Sequence, residues 1–506
     1  MHSPTMSDAF LSAAETALAA FRGRGRRSGP LNHGTRFKRL TFRLDQDAYR
    51  RAKLYWIPED DDFNGDQEPD GDRVDGLALA HPAASQLEVL HLECRSYGYQ
   101  HRPRLESLPC AATLRLLELT HCKLDPPSAW PARSAVLALP RLTTLQLRDC
   151  VLSEGYLQVV LHAAPALTSL VLANVRRKTT DYEGFYASSS SYTDNADPDD
   201  SFGRPFRLRC PTVTALELDT SRLYYSDSSE ELKALANSGI ELDMPSLRSF
   251  YYRESYIKLS LASPAPGLAR VELDVSRYGQ GRKNPSRMLT SFSTTRVLKL
   301  RLGYIEDIVA GDEEEGGPIL LPTFPNLELL EVDGGYQYKH NDTAALAMAR
   351  LRGSCPVMSE LWLRLNMNWD TRYKAWEKDP AGASFASTVD RFNKLAASMA
   401  LVSVQGGDSV GDTGHISELP ALSGCALSCL RKVTLKFNSP EEFNCLEVQL
   451  AKFLVENAMA LEEMHVDHGK QFWADHLCNN VARWRADSFR RKNLLDTGVF
   501  RVTSHS

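Results

Sequence analysis

LRLLELTHC at residues 114–122 and LTTLQLRDC at residues 142–150 share one pattern: leucine at positions one, four and six, and cysteine at position nine. LEVLHLEC from Leu87 and LTSLVLANV from Leu167 repeat the leucines, with Cys94 and Val175 at or near the ninth position. Apolar residues two apart put one face of a β-strand in a core. The fourth-position leucines, Leu90, Leu117, Leu145 and Leu170, recur every 25–28 residues. A unit of that length cannot bury its apolar face alone, so neighbouring units must complete the core.

Further copies begin at Val213, Leu247, Leu268, Thr295, Leu327, Met358, Leu430 and Leu461, and FKRLTFRL from Phe37 reads as the first. Roughly a dozen strands at a period of this range predict an α/β chain. Its form is an irregular leucine-rich-repeat solenoid, a curved parallel β-sheet with helices and loops on the convex side. SEGYLQVVLHAAP (153–165) and DTAALAMARLRGSCP (342–356) have helical patterns that run into a proline before the next strand.

Three regions follow. Residues 1–35 hold an Ala-rich helix and a basic linker. Residues 36–428 hold the repeats, interrupted by polar insertions near 58–73, 176–205 and 405–415 that are too hydrophilic to bury a core. Residues 429–506 hold terminal repeats and a capping helix. That last region predicts a helix over Leu446–Asn457 with Leu446, Leu450, Phe453 and Leu454 on its apolar side. A second helix, 472–491, is expected to close the final repeat through Phe472, Leu477, Val481 and Trp484. Its basic end, Arg483 through Lys492, is expected to stay in water.

Bulk properties narrow the function. The net charge of −5 and pI near 6.3 give no support for nucleic-acid binding, which favours a basic domain. No apolar run approaches the roughly 18 residues of a membrane span. The N-terminal basic cluster follows its apolar stretch, the reverse of a secretory leader. These features predict a chain of the cytoplasm and/or nucleus, a monomer with no membrane partner. Cys94, Cys122 and Cys150, at the repeat's cysteine position, read as buried, reduced, structural thiols. GxxxxGK[ST], GxSxG and HExxH are absent from the sequence, and no metal site or cofactor is expected. The chain reads as a non-enzyme.

LPRLTTLQLRDCVL, LHAAPALTSLVLANV and especially CLRKVTLKFNSPEEFNCLEVQLAKFLVENAMALEEMHV (429–466) resemble the plant F-box/leucine-rich-repeat family with an FBD-like C-terminal region. The resemblance implies a protein-interaction scaffold, with the repeats capturing the substrate of a ubiquitin ligase. In that family an N-terminal F-box binds the Skp adaptor of a cullin ligase. No LPDDLL-like F-box helix is found here, so Skp and cullin binding is not expected.

Residues between the core leucines point to the outer face of each strand. The candidate partner-binding residues on this concave face are Tyr251, Arg253, Lys299, Arg301, Trp362, Arg364, Lys432 and Lys436. Trp362 leads, because Trp, Tyr and Arg dominate binding hot spots. The alternative is a hormone-like small-molecule sensor on the same scaffold, which requires a deep pocket with converging polar groups.

Overall fold

A computed structural model of the chain describes residues 38–45, 82–95, 102–125, 137–177, 205–219, 239–253, 258–276, 285–308, 321–337, 341–368, 427–438, 445–467, 471–493 and 500–504. The expected N-terminal helix, the acidic insertion at 58–73 and the loop at 405–415 lie outside them. So does nearly all of the 176–205 insertion. The described residues form two compact units. The first runs to Arg248 and includes Ser260–Gly267; the second comprises Ser249–Leu259 and the residues from Leu268 onward.

In the first unit, strands β1 (Arg39–Asp45), β2 (Val89–Arg95), β3 (Leu116–Thr120), β4 (Thr144–Arg148), β5 (Ser169–Ala173) and β6 (Ala215–Asp219) pair in chain order, all parallel. The register matches motif to motif: Leu117 stands beside Leu145, Leu145 beside Leu170, and Leu170 beside Leu216. Leu114, Leu117, Leu119, Leu142, Leu145, Leu147, Leu167, Leu170 and Leu172 are fully buried. Burial of one such side chain contributes about 1.5–3 kcal/mol, so the stacked leucines carry the core.

Each of three successive strands ends on a residue in the left-handed region: His121 (φ 58°), Asp149 (φ 53°) and Asn174 (φ 56°). Asp and Asn tolerate this conformation better than other side chains. The turn swings the ninth-position side chain into the core. Cys150 Sγ donates to the carbonyls of Leu119 (3.4 Å) and Arg148 (3.3 Å), and Cys122 Sγ to that of Thr120 (3.5 Å). Val175 fills the same place in the next repeat. Cys94 differs from the expected ninth-position thiol. LEVLHLEC is one residue shorter, so Cys94 is the eighth residue and is buried as an inward side chain of β2 itself.

Helix α1 (Glu154–Ala163) buries Tyr156, Leu157, Val160 and Leu161. It docks on the strand Phe206–Arg209, whose Arg207 and Arg209 N–H groups donate to Glu154 and Gln158 (both 3.1 Å).

The second unit stacks β7 (Ser249–Arg253), β8 (Arg270–Val275), β9 (Val297–Tyr304), β10 (Leu329–Gln337), β11 (Glu360–Asn368), β12 (Lys432–Asn438), β13 (Glu463–Asp467) and β14 (Arg501–Ser504), again parallel and in chain order. The first-position residues Leu247 and Leu268, in the turns before β7 and β8, are buried, as are Leu327, Met358, Leu430 and Leu461 further along. Thr295 takes that place before β9; it is buried, and its hydroxyl donates to the Ala269 carbonyl (3.0 Å). That bond is what lets a polar residue occupy a leucine site. Helix α2 (Ser286–Thr290) precedes β9, and α3 (Asn341–Gly353) buries Ala344, Ala347, Met348 and Leu351 at helical spacing. Helix α4 (Cys445–Asn457) joins β12 to β13 and buries Leu450, Phe453 and Leu454 of its expected apolar side; the Leu446 side chain lies outside the described ones.

Helix α5 (Gln471–Arg491) departs from its expected role. It crosses over to a further strand, β14, so it connects two rungs and does not cap the last one. Val481, Arg485 and Ser488 lie on one helical face and are buried, and Ser488 Oγ donates to the Glu456 carbonyl (2.9 Å). The basic end is therefore not uniformly solvated. Arg485 is 4% exposed, with its guanidinium 4.7 Å from the Phe489 ring centre and 4.3 Å from that of Phe500. Such stacking offsets part of the cost of removing a weakly hydrated cation from water. Arg483, Arg490, Arg491 and Lys492 remain exposed.

Burial pushes the Cys150 and Cys355 thiols up to about 12, so neither is a thiolate at neutral pH. Cys429 is exposed. Iodoacetamide followed by peptide mass spectrometry should modify Cys429 in the native protein, and Cys122, Cys150 and Cys355 only after unfolding. Equal native rates at Cys150 and Cys429 would contradict the inward ninth position.

Candidate interaction face of the second unit

The alternation that sends Phe250, Leu298, Leu361 and Val433 inward sends their neighbours outward. All eight candidates fall on this outward face: Tyr251 and Arg253 on β7, Lys299 and Arg301 on β9, Trp362 and Arg364 on β11, Lys432 and Lys436 on β12. Register sorts most of them into rows. Tyr251, Glu272, Lys299, Glu331, Trp362 and Thr434 are successive neighbours in one row. Arg253, Asp274, Arg301, Asp333, Arg364 and Lys436 are successive neighbours in the next. Lys432 lies in a third, between Glu360 and Glu463.

Charge alternates from β8 to β11 in the second row and from β8 to β10 in the first, and oppositely charged neighbours pair; Arg364 and Lys436 stand side by side as like charges. Lys299 lies 3.0 Å from Glu331 and 3.8 Å from Glu272. Arg253 and Arg301 each lie 3.5 Å from the Asp274 carboxylate. Arg364 reaches Asp333 at 3.3 Å, and Lys436 reaches Asp467 at 2.7 Å. Lys432 bridges Glu360 (3.6 Å) and Glu463 (3.7 Å). The more exposed pairs, such as those of Arg364 and Lys436, contribute about 0–1 kcal/mol each, so they do little for stability. What they do is leave the face almost electrically neutral, with its cations already partnered.

Asp274 is the most buried of these carboxylates. Burial pushes its pKa up, but the Ser276 hydroxyl (2.7 Å) and N–H, then Arg253 and Arg301, outweigh burial and hold it below the ordinary 3.8. Tyr251 carries the Arg253 guanidinium 5.9 Å from its ring centre, and burial pushes its hydroxyl pKa up.

Trp362 stands apart. It is 41% exposed, one of two large apolar side chains among the described residues so exposed, the other being Val357 in the preceding turn. Its indole N–H donates to Glu360 (2.6 Å), which fixes the ring on the sheet while leaving much of it in water.

The charged rows lead into a cleft of about 280 Å³ lined by Ser276, Arg301, Leu302, Gly303, Asp333, Gly334, Gly335 and Asn366. Its cause is local. The β9–β10 register shifts between Leu302 and Tyr304, which leaves Gly303 as a bulge. The opposing strand meets that bulge with two glycines. A Cβ on Gly335 would lie 2.8 Å from the Gly303 carbonyl oxygen, and one on Gly334 3.0 Å from Ile305 Cγ2. Sequence reasoning missed this cleft, although a GG pair inside a strand pattern is a signal of close backbone approach. No cluster of His, Cys, Asp and Glu among the described residues has metal-ligand geometry. No described helix is long and apolar enough to cross a membrane.

Strands stacked in register, with leucines inward at positions one, four and six, define a leucine-rich-repeat protein. Residues 77–183 match the family model for the leucine-rich repeats of the FBD-associated F-box protein At5g56370. A comparison with curated proteins finds no match.

Gly335→Ala should lower stability by about 1–3 kcal/mol in chemical denaturation, because its Cβ meets fixed backbone. Gly353→Ala, with nothing within 4 Å of its Cβ, should be neutral or stabilising. Equal effects would place the close approach elsewhere. The depressed Asp274 contributes stability that is present above the ordinary carboxylate pKa and lost as pH falls through its folded value. Asp274→Asn should therefore lose less stability than the parent between pH 5 and pH 3. Parallel pH profiles for the two proteins would show that Asp274 is not linked to folding.

Proposed function

We propose that this protein is a non-enzymatic protein-interaction scaffold that captures a partner on the outward face of the second unit, with Trp362 as the anchor. Its repeat class suggests protein binding, and the half-exposed Trp362 on a face whose charges are already paired is the observation that carries the reading. A fixed aromatic side chain offers a large contact area at small entropic cost. In finer terms, the scaffold corresponds to the substrate-recognition part of an F-box ubiquitin-ligase adaptor. It acts as a monomer in the cytoplasm and/or nucleus, without nucleic acid.

Quantitative mass spectrometry of proteins captured from extract by the immobilised full chain tests the proposal. A partner enriched by the parent should be depleted at least several-fold by Trp362→Ala. That substitution should change stability by no more than about 1 kcal/mol, because the ring is well exposed. Identical captured sets would remove Trp362 as anchor. Stoichiometric Skp and cullin in both sets would overturn the reading that adaptor binding is not expected.

A further inference from the structure

The cleft takes four of its eight lining residues from one position of the repeat. Ser276, Gly303, Gly335 and Asn366 are the ninth residues of four successive motifs, those starting at Leu268, Thr295, Leu327 and Met358. In the first unit the ninth residue is turned into the core by a left-handed residue at position eight, and there Cys122 and Cys150 bond strand-end carbonyls. No described residue at position eight of these four motifs has that conformation. Strand β11 instead runs on to Asn368, so Asn366 keeps the outward parity of Trp362 and Arg364. A side chain that in other repeats finishes a strand end is left without that role. The consequence is visible: Asn366 Oδ1 is shut off from water and has no hydrogen-bond partner. A buried acceptor left unmet costs about 1–3 kcal/mol.

The walls show what would satisfy it. Arg301 already meets Glu272 (3.4 Å) and Asp274 (3.5 Å), and Asp333 meets Arg364 (3.3 Å). A charged group entering the cleft would shed its water against walls whose opposite charges are taken. An uncharged group carrying both a donor and an acceptor loses less. It can give its N–H to Asn366 once that amide turns about its last torsion, a broad rotation that breaks no bond at Oδ1. Its oxygen can accept from the Arg301 guanidinium. The cleft, about 280 Å³, has room for one side chain.

We infer that this cleft is a subsite for a primary carboxamide, the side chain of a glutamine or asparagine on the bound partner. The inference rests on the interaction reading above. Trp362 and Asn366 are four residues apart on one strand, about 13 Å. The partner therefore presents its amide side chain that far from the group it lays on the indole.

Saturation-transfer NMR on the full chain tests the subsite with N-acetyl-glutamine N-methylamide as probe and the matched glutamate and lysine derivatives as comparators. One net hydrogen bond gained in the cleft is worth roughly tenfold in affinity. The glutamine derivative should therefore bind about tenfold more tightly than either comparator, lose that advantage in Asn366→Leu, and keep it in Trp362→Ala. Propionamide, but not propionate, should displace it from the unmodified protein, which tests the subsite even if Asn366→Leu fails to fold. Equal binding of all three derivatives, or a preference for lysine or glutamate, overturns the inference. So does amide binding that survives Asn366→Leu. Amide selectivity with no Trp362-dependent partner would count against the interaction reading alone; a Trp362-dependent partner without amide selectivity would count against the subsite alone.

Discussion

One main-chain carbonyl in each repeat sets the register on which everything else depends. The residue after the first-position leucine offers its oxygen to two successive N–H groups of the next repeat. Glu88 accepts from Arg115 and Leu116, Arg115 from Thr143 and Thr144, and Thr143 from Thr168 and Ser169. In the second unit Arg296, Glu328, Ser359 and Arg431 do the same for the repeats that follow them. Because side chains alternate strictly along a strand, a slip of one residue would send every leucine to water and every charge to the core. The doubly used carbonyl fixes the start of each strand, and alternation carries that phase along its length. Where Thr143, Thr168 and Thr214 occupy this position, their hydroxyls donate to the same class of carbonyl, reinforcing the join.

Fixed register also explains why the outward face is neutral. Residues of one row are held at neighbouring-strand distance, so a sequence that alternates sign between repeats must form ladders of opposite charge. Such a ladder discriminates more than it attracts, since a partner with the wrong sign opposite any rung breaks existing pairs and gains nothing. In the proposed interaction, affinity would have to come from apolar area, which Trp362 supplies.

The rungs were legible because their signal is redundant: three leucines per copy, repeated at a readable period. Even Thr295, which breaks the pattern, was placed by its neighbours Leu298 and Leu300. β14 was not legible. RVTS has no leucine, and only its pairing with β13 makes it a strand. Arg485 was misread because a basic residue on a helix end is ordinarily solvated; two phenylalanines, one of them from a different element, decide otherwise. The outward placement of the eight candidates follows from alternation and was readable, whereas the cleft depends on a bulge at Gly303 and on the conformation of position eight. Neither leaves a mark in the hydrophobic pattern. Asn366 itself stands in the sequence simply as the ninth residue of the motif from Met358.

The crossover through α5 has a consequence for how the sheet fails. β14 is only four residues long, and two of its described side chains, Arg501 and Thr503, are exposed, so it has little to hold it and should open before the longer strands beneath it. Each opening bares the edge of β13, a ready template for pairing with another chain. The residues along that edge are Glu463, Met464, His465, Val466 and Asp467. Its two ends are carboxylates held by Lys432 and Lys436, and a second copy approaching edge to edge in antiparallel fashion would set one charged end against the other. The last rung can fray without nucleating aggregation because the strand it uncovers carries its own gatekeepers.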